Sequence, residues 1–390
     1  MTLLRSLRRL DDALLPRGRV NQVLIDGRTA MNFEMVAPVV RALAFDDRIQ
    51  FACTASEEPH RLSDIYAHAP TTIRRVSPQR AAFIKWSAYL TSDFTWATLP
   101  RGTRRVQMFH GVAGKYAFDA PTGSMRQWDR LFFVNQRRWT NFVRSGAIDD
   151  GSPAARLVGM PKVDCLVDGT FHREAILAQH GLDASRPTVL YAPTWSAESS
   201  LNQLGAALIE RLTRRPFNLI VKLHDRSHDL RQEYSGGVDW AARLSPLLPP
   251  GQALMARNPN ISECLAAADV MITDHSSAGF EYLLLDRPLV RIELPQLLQR
   301  ASVHPDYVAL LAEASTNVRT ADEAVAAVEA ALANPQERSA SRRSVAGALF
   351  YRPGTAAVRA ARELCALLEL SAHPSLALQE QKAESCLQTA

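Results

Sequence analysis

Four short stretches of this 390-residue sequence place proton-transferring or anion-binding side chains directly after apolar runs. In the first, Val106-Gln107-Met108-Phe109 runs into His110-Gly111-Val112-Ala113-Gly114-Lys115. An imidazole at a strand tip can take or give a proton near neutral pH. Gly111 and Gly114 let the backbone approach a ligand closely, and Lys115 adds a charge. The spacing is too short for a Walker A loop, and Tyr116 stands where a hydroxyl should meet magnesium. An ordinary glycine-rich turn with a surface histidine explains the same residues. The second stretch, Leu190-Tyr191-Ala192-Pro193-Thr194-Trp195, offers the Thr194 hydroxyl and the Trp195 ring, or simply a strand-to-loop turn. In the third, Val221-Lys222-Leu223-His224, alternation puts Lys222 and His224 on one face, a pairing suited to an anion. The fourth, Thr273-Asp274-His275-Ser276-Ser277, lies between the run Val270-Met271-Ile272 and a helix through Glu281. Free amides at a helix start, with the Ser276 and Ser277 hydroxyls, make a phosphate site. Plain N-capping by Asp274 or Ser276 uses the same residue types.

These positions acquire meaning from the elements that carry them. Val23-Leu24-Ile25, Ile49 to Ala52, Val106 to Phe109 and Leu131 to Val134 read as buried strands, with helical stretches between them such as Met35 to Ala44. A second series follows from Arg186. Its strands are Thr188–Tyr191, Phe217–Leu223, Val270–Thr273 and Leu289–Ile292, and its helices are 201–212, 261–267 and 276–285. Such alternation predicts an α/β fold with mainly parallel sheets, whose ligands sit beyond the carboxyl ends of the strands. The predicted layout is a basic N-terminal segment 1–19, an α/β domain 20–168, a second α/β domain 187–335, closing helices 336–370 and a disordered tail 371–390. Val167 to Arg186, with Gly169 and Gly181 before Pro187, reads as the hinge.

Composition narrows the classes. Hydrophobic residues at 47% and charged residues at 22% exclude a disordered chain. No apolar run reaches the roughly 18 residues of a membrane span, and Arg5, Arg8 and Arg9 break any secretory leader. Five scattered cysteines without a C-x-x-C pair argue against disulfides and zinc and for a reducing, cytoplasmic setting. His224 and His228 have H-x-x-x-H spacing, but the following Glu and a third ligand are missing, so no metal is expected. The net charge of +5 suits an anionic small molecule, a phosphorylated polymer or an anionic membrane as well as nucleic acid. Arg101 to Arg144 is strongly basic, but Trp128, Phe132, Phe133 and Trp139 sit at core-like spacing, so no nucleic-acid stacking platform is read. In residues 1–19, leucines at helical spacing and five arginines against two aspartates allow a helix on the inner membrane surface. A helix docked on its own protein is the alternative.

The order of segments HGVAGK, GMPKVDCL, YAPTW, VKLH and ADVMITDHSSAGFEYLLLDRPLV, from about His110 to Leu294, resembles the CDP-glycerol glycerophosphotransferase family, which builds teichoic acids and related surface or capsule polymers. Phe350-Tyr351-Arg352-Pro353-Gly354 also looks family-like, whereas the first hundred residues match no motif. The resemblance implies two Rossmann-like domains with a central cleft, a glycosyltransferase B-type fold. It makes 20–168 the acceptor side and 187–335 the side binding a CDP-activated donor. It carries a catalytic role to His110 and to His224. It carries donor or phosphate binding to Gly111, Gly114, Lys115, Lys162, Pro193, Thr194, Lys222, Asp274, Ser276, Ser277 and Glu281. Departures are Val112 and Ala113 after the His-Gly pair, Lys162 for an arginine, His275 for a tyrosine and Glu281 for an aspartate.

The implied reaction moves glycerol phosphate, or a related polyol phosphate, from CDP-glycerol to a hydroxyl of a lipid-linked or polysaccharide acceptor and releases CMP. No cofactor is expected. Two alternatives stay open: a glycosyltransferase or epimerase of the same fold acting on a nucleotide sugar, and a non-catalytic polymer-binding protein.

Overall fold

The structure is a computed structural model that describes residues 20–112, 114, 115, 121 and 123–389. The basic segment 1–19 lies outside the described residues. The chain divides into two compact units. Unit 1 holds the residues up to His110, Thr122–Asp164 and those from Tyr351 on; unit 2 holds Gly111–Pro121 and Cys165–Phe350.

Among the described residues, unit 1 carries seven parallel strands: β1 (Asn21–Asp26), β2 (Ile49–Thr54), β3 (Arg74–Arg75), β4 (Ala88–Thr91), β5 (Arg104–Met108), β6 (Arg130–Phe133) and β7 (Ala155–Leu157). They are ordered β3-β2-β1-β4-β5-β6-β7. Val23 and Leu24 point to opposite faces of β1 and both are fully buried, so both faces of the sheet are covered. Helix Ala356–Leu367 packs against helix Ala30–Ala42, although more than three hundred residues separate them. Asp164 holds its start: the buried carboxylate accepts the amides of Gly354 (2.7 Å), Ala356 (3.1 Å) and Ala357 (2.7 Å). Burial outweighs these bonds and raises the Asp164 carboxyl to about 6. Two stretches that look family-like in sequence, GMPKVDCL and FYRPG, thus meet in a structural joint.

Unit 2 repeats the plan with β8 (Thr188–Tyr191), β9 (Asn218–Val221), β10 (Ala253–Met255), β11 (Val270–Thr273), β12 (Leu289–Ile292) and β13 (Thr316–Val318). All are parallel, in the order β10-β9-β8-β11-β12-β13. Helices Ser200–Thr213 and Ala321–Ala333 pack together over Val189, Leu208, Leu219, Val325 and Val328. Thr320 and Glu323 close a capping box at the start of the latter helix. Both sheets have the strand order of a Rossmann fold, unit 1 with one strand more. The direction of winding reverses between β1 and β4 and between β8 and β11, where such sheets bind ligands.

Unit 2 also holds an ion pair between the buried Arg342 and the half-buried Asp286. Arg342 is 1% exposed and donates to the Asp286 carboxylate (2.9 Å), the Asp286 carbonyl (2.9 Å) and the carbonyls of Glu337 (2.6 Å) and Pro335 (2.8 Å). Asp286→Ala leaves that guanidinium short of its counter-charge, and a loss of about 3–5 kcal/mol is expected in urea unfolding.

The structure corrects three sequence expectations. Residues 374–389 form a helix rather than a disordered tail, because Leu376 is buried, Gln379 donates to the Ala42 carbonyl (3.1 Å) and Arg362 pairs with Glu380 (2.7 Å). The closing stretch 336–370 is split: helix Ser339–Leu349 goes with unit 2 and helix Ala356–Leu367 with unit 1. The expected hinge, 167–186, contains helix Arg173–Gln179 and is part of unit 2.

Candidate functional site

The switch point of unit 2 is built around Asp274. β11 delivers this carboxylate fully buried, where it accepts the Thr194 amide (2.8 Å), the Ser200 amide (3.0 Å) and the Ser200 hydroxyl (3.0 Å). Thr273 adds a bond from its hydroxyl to the Ala192 carbonyl (2.6 Å). The loop after β8 is therefore clamped to the end of β11. Its Ser196 holds φ at 143°, a region few non-glycine residues enter, and Asn202 fixes its carbonyl (2.9 Å). The Asp274 oxygens are thus engaged in ordering Thr194 and Ser200. Ser276 takes the capping role, its hydroxyl accepting the Ala278 amide (3.3 Å), while Ser277 opens the helix Ser277–Tyr282 and is half-buried. Pro193 and Glu281 are buried.

Onto this clamp comes the segment after β5. The Lys115 ammonium donates to the Thr194 hydroxyl (2.9 Å), and the His304 amide donates to the Gly114 carbonyl (3.0 Å). A side chain on Gly111 would lie 3.7 Å from the Ser277 hydroxyl. Desolvation lowers Lys115 to about 8, against the pull of the Asp274 carboxylate. Gly114 has φ +61°, and a Cβ there would come within 2.2–2.8 Å of the buried Tyr307 ring. Gly114→Ala is therefore expected to displace the segment that carries Lys115. The cost is about 1–3 kcal/mol, read by thermal unfolding.

Lys222 and His224 follow β9. Lys222 is buried and donates to the Leu223 carbonyl (2.8 Å). His224 is exposed, and its Nδ1 accepts the Arg226 amide (3.1 Å). The neutral ring must then carry its proton on Nε2, which makes His224 a hydrogen-bond donor. Beside it, Arg226 stacks over Trp195 at 4.5 Å.

In unit 1, His110 follows β5 and is half-buried, with its Nδ1 on the Ser92 carbonyl. A carbonyl only accepts, so Nδ1 carries the proton and Nε2 presents a lone pair. Desolvation lowers the imidazole pKa, and the Arg138 and Lys162 charges add to the effect, while Asp93 and the Ser92 carbonyl oppose it. The lowered pKa favours the neutral ring, whose Nε2 lone pair is then free to accept a proton. Lys162, expected among the donor-binding residues, belongs to unit 1, in the turn Pro161–Leu166, and its charge acts on His110. Arg138 lies 4.6 Å over the Phe109 ring. Sequence reasoning missed Ser92 and Asp93, whose only signal is a Ser-Asp pair at the end of an apolar run, and met Arg138 only within the basic stretch Arg101 to Arg144. It also missed Ser200, which nothing local marks. The structure brings together Gly111, Gly114, Lys115, Pro193, Thr194, Asp274, Ser276 and Ser277 within unit 2, and Lys162 with His110 within unit 1.

The model of the CDP-Glycerol:Poly(glycerophosphate) glycerophosphotransferase family matches residues 27–364. The chain belongs to this family. A curated relative, the teichoic acid poly(glycerol phosphate) polymerase of Bacillus spizizenii, is 23% identical over 241 residues, covering 53% of this chain and 58% of that protein. The chain thus matches somewhat over half of that relative's length. Among solved structures, the wall teichoic acid polymerase TagF, in a histidine variant soaked with CDPG, superposes with a TM-score of 0.67 at 16% identity, over 94% of this chain and 95% of that one. The UDP-GlcNAc 2-epimerase of Neisseria meningitidis, bound to UDP-GlcNAc, gives 0.54 at 12% identity, over 89% and 99%. At such identities these likenesses establish the fold, and the two Rossmann-like sheets of this family member agree with it.

Proposed function

We propose that this protein transfers glycerol phosphate from CDP-glycerol to a hydroxyl of a lipid-linked or polysaccharide acceptor in the synthesis of a surface polymer. The observation that carries the reading is the family match across residues 27–364. The chemistry of the two histidines supports it, since the reaction needs one ring that accepts a proton and one that donates a hydrogen bond.

The acceptor hydroxyl attacks the β-phosphorus, and the bond from that phosphorus to the bridging oxygen breaks. CMP leaves with the bridging oxygen. Nε2 of His110 takes the hydroxyl proton. Lys115, the ring N–H of His224 and the Ser277 hydroxyl meet the phosphate oxygens, with Lys222 adding charge behind them. Phosphoryl transfer asks the protein mainly for positioning and charge, and these side chains provide both, so the reading calls for no cofactor. Turnover beside the inner face of the membrane agrees with a lipid-linked acceptor. No helix among the described residues is long and apolar enough to cross a membrane.

Lys115 gives the reading a pH signature. Its ammonium is charged below about 8 and lost above it. Donor affinity is expected to fall as pH rises through that value, by up to the roughly tenfold that one weakened charged contact represents. Lys115→Arg should flatten the dependence, as calorimetric titration with CDP-glycerol at pH 6.5 and 9 would show.

The reading itself is tested by CMP release from CDP-glycerol with membrane extract as acceptor. Turnover of UDP-GlcNAc instead would favour an epimerase or sugar transferase. Polymer binding with no nucleotide turnover would favour a non-catalytic role.

A further inference from the structure

His110 is held by more than one carbonyl. The turn Thr91–Thr95, directly after β4, is fixed by a chain of buried hydrogen bonds. At its root, Asp26 is buried at the end of β1 and accepts the Ser56 amide (2.9 Å), the Ser56 hydroxyl (2.5 Å) and the Tyr89 hydroxyl (2.6 Å). Tyr89 pairs with the Thr95 hydroxyl (2.9 Å), and Thr95 with the Thr91 hydroxyl (2.7 Å), which accepts the Asp93 amide (3.3 Å). Phe94 takes a left-handed φ of 54°, and its amide donates to the fully buried Gln107 (2.9 Å). A hydroxyl bond from Ser92 to the Asn32 carbonyl (3.2 Å) completes the frame. Its product is a turn that points the Ser92 carbonyl at His110 and brings the next residue, Asp93, within electrostatic reach of the ring. Arg28, after β1, pairs with Asp93 (3.5 Å) and with Glu57 (2.6 Å) after β2.

We propose that Asp93 is a positioning residue for His110: the turn locks the Nδ1-protonated tautomer, and the Asp93 carboxylate, tempered by Arg28, stabilises the imidazolium that forms when Nε2 takes a proton. The proposal rests on the reading of His110 as the base. Among the described residues, the charges acting on the ring are Asp93 after β4, Arg138 on helix Gln136–Arg144 and Lys162 after β7, while Arg28 after β1 and Glu57 after β2 bear on it through Asp93. Of these, the Asp93 charge raises the imidazole pKa, and the Arg138 and Lys162 charges lower it.

The sign of the effect can be turned both ways. Asp93→Asn removes the stabilising charge and should lower the His110 titration midpoint by about 1 unit, the small end of the range for a neighbouring charge. Arg28→Met frees the carboxylate and should raise it. Nitrogen chemical shifts of 15N-histidine-labelled protein report both the midpoint and the tautomer without substrate. In the same variants the acid limb of the kcat profile should move with the midpoint. Turnover of Asp93→Asn should fall about tenfold, less than the 10²–10⁴-fold that the base itself contributes, with KM for CDP-glycerol within about twofold. A residue that served only the fold would alter stability without opposite shifts. Midpoints unmoved in both variants, or moved in the same direction, would overturn the proposal, as would a neutral ring protonated on Nε2. If no variant releases CMP, the reading of the reaction fails by itself, and the titration still decides the role of Asp93. Should Asp93→Asn not fold, Arg28→Met carries the test alone.

Discussion

His110→Ala is expected to lower CMP release by about 10²–10⁴-fold, the usual worth of a general base, while KM for the donor stays within about twofold. The split follows from where the ring sits. His110 belongs to unit 1, with Nδ1 committed to the Ser92 carbonyl and Nε2 left as the acceptor. The residues read as holding the donor phosphates belong to unit 2. Removing an interaction made only in the transition state lowers kcat and kcat/KM together. Steady-state kinetics over a donor series measures both constants. Unchanged turnover would remove His110 from the mechanism, and a large rise in KM with kcat preserved would make it a binding residue.

The second large effect is expected at a residue that touches no substrate in this account. Asp274→Asn keeps the shape of the side chain but puts an amide where three donors converge, from Thr194 and from the amide and hydroxyl of Ser200. Each hydrogen bond to a charged group is worth about 1.5–3 kcal/mol, so the loop after β8 loosens. Lys115 also loses the Asp274 charge that raises its pKa, so the ammonium, already lowered to about 8, titrates lower still. The expected fall in kcat/KM is about 10²–10³-fold, comparable to losing a preorganised charge-stabilising donor. Part of it should return between pH 8 and pH 6, where Lys115 is charged again. Simple unfolding gives no such recovery, and circular dichroism at both pH values separates the two. An unchanged KM at both would mean that the clamp does not serve the donor.

Much of the architecture is legible in the sequence because buried parallel strands are short β-branched runs that punctuation residues delimit. Val270–Thr273 and Leu289–Ile292 are read to the residue. Shorter or less apolar strands escape: β3 is only two residues long, and Ala88–Thr91 carries a tyrosine and a threonine in a polar neighbourhood. The tail fails for another reason. Its sequence is polar, and only packing on helix Ala356–Leu367 makes Pro374–Thr389 a helix. The site is legible as residue types at strand ends, but not as roles. Asp274 looks like a phosphate ligand or a cap until its partners 74 and 80 positions earlier are in view. The opposite tautomers of His110 and His224 depend on a carbonyl 18 residues away in one case and on an amide two residues away in the other. Only the second is local enough to be inferred from sequence.

The central claim is that glycerol phosphate leaves a CDP donor for an acceptor hydroxyl. The most direct measurement follows doubly labelled CDP-glycerol, with cytidine and glycerol carrying different isotopes, in the presence of a lipid-linked glycerol phosphate acceptor and the full chain. The account predicts one CMP released for each glycerol phosphate that enters the lipid fraction, with both signals lost in His110→Ala. Release of CMP with free glycerol phosphate and no labelled lipid would contradict it, and so would an intact donor in the presence of acceptor.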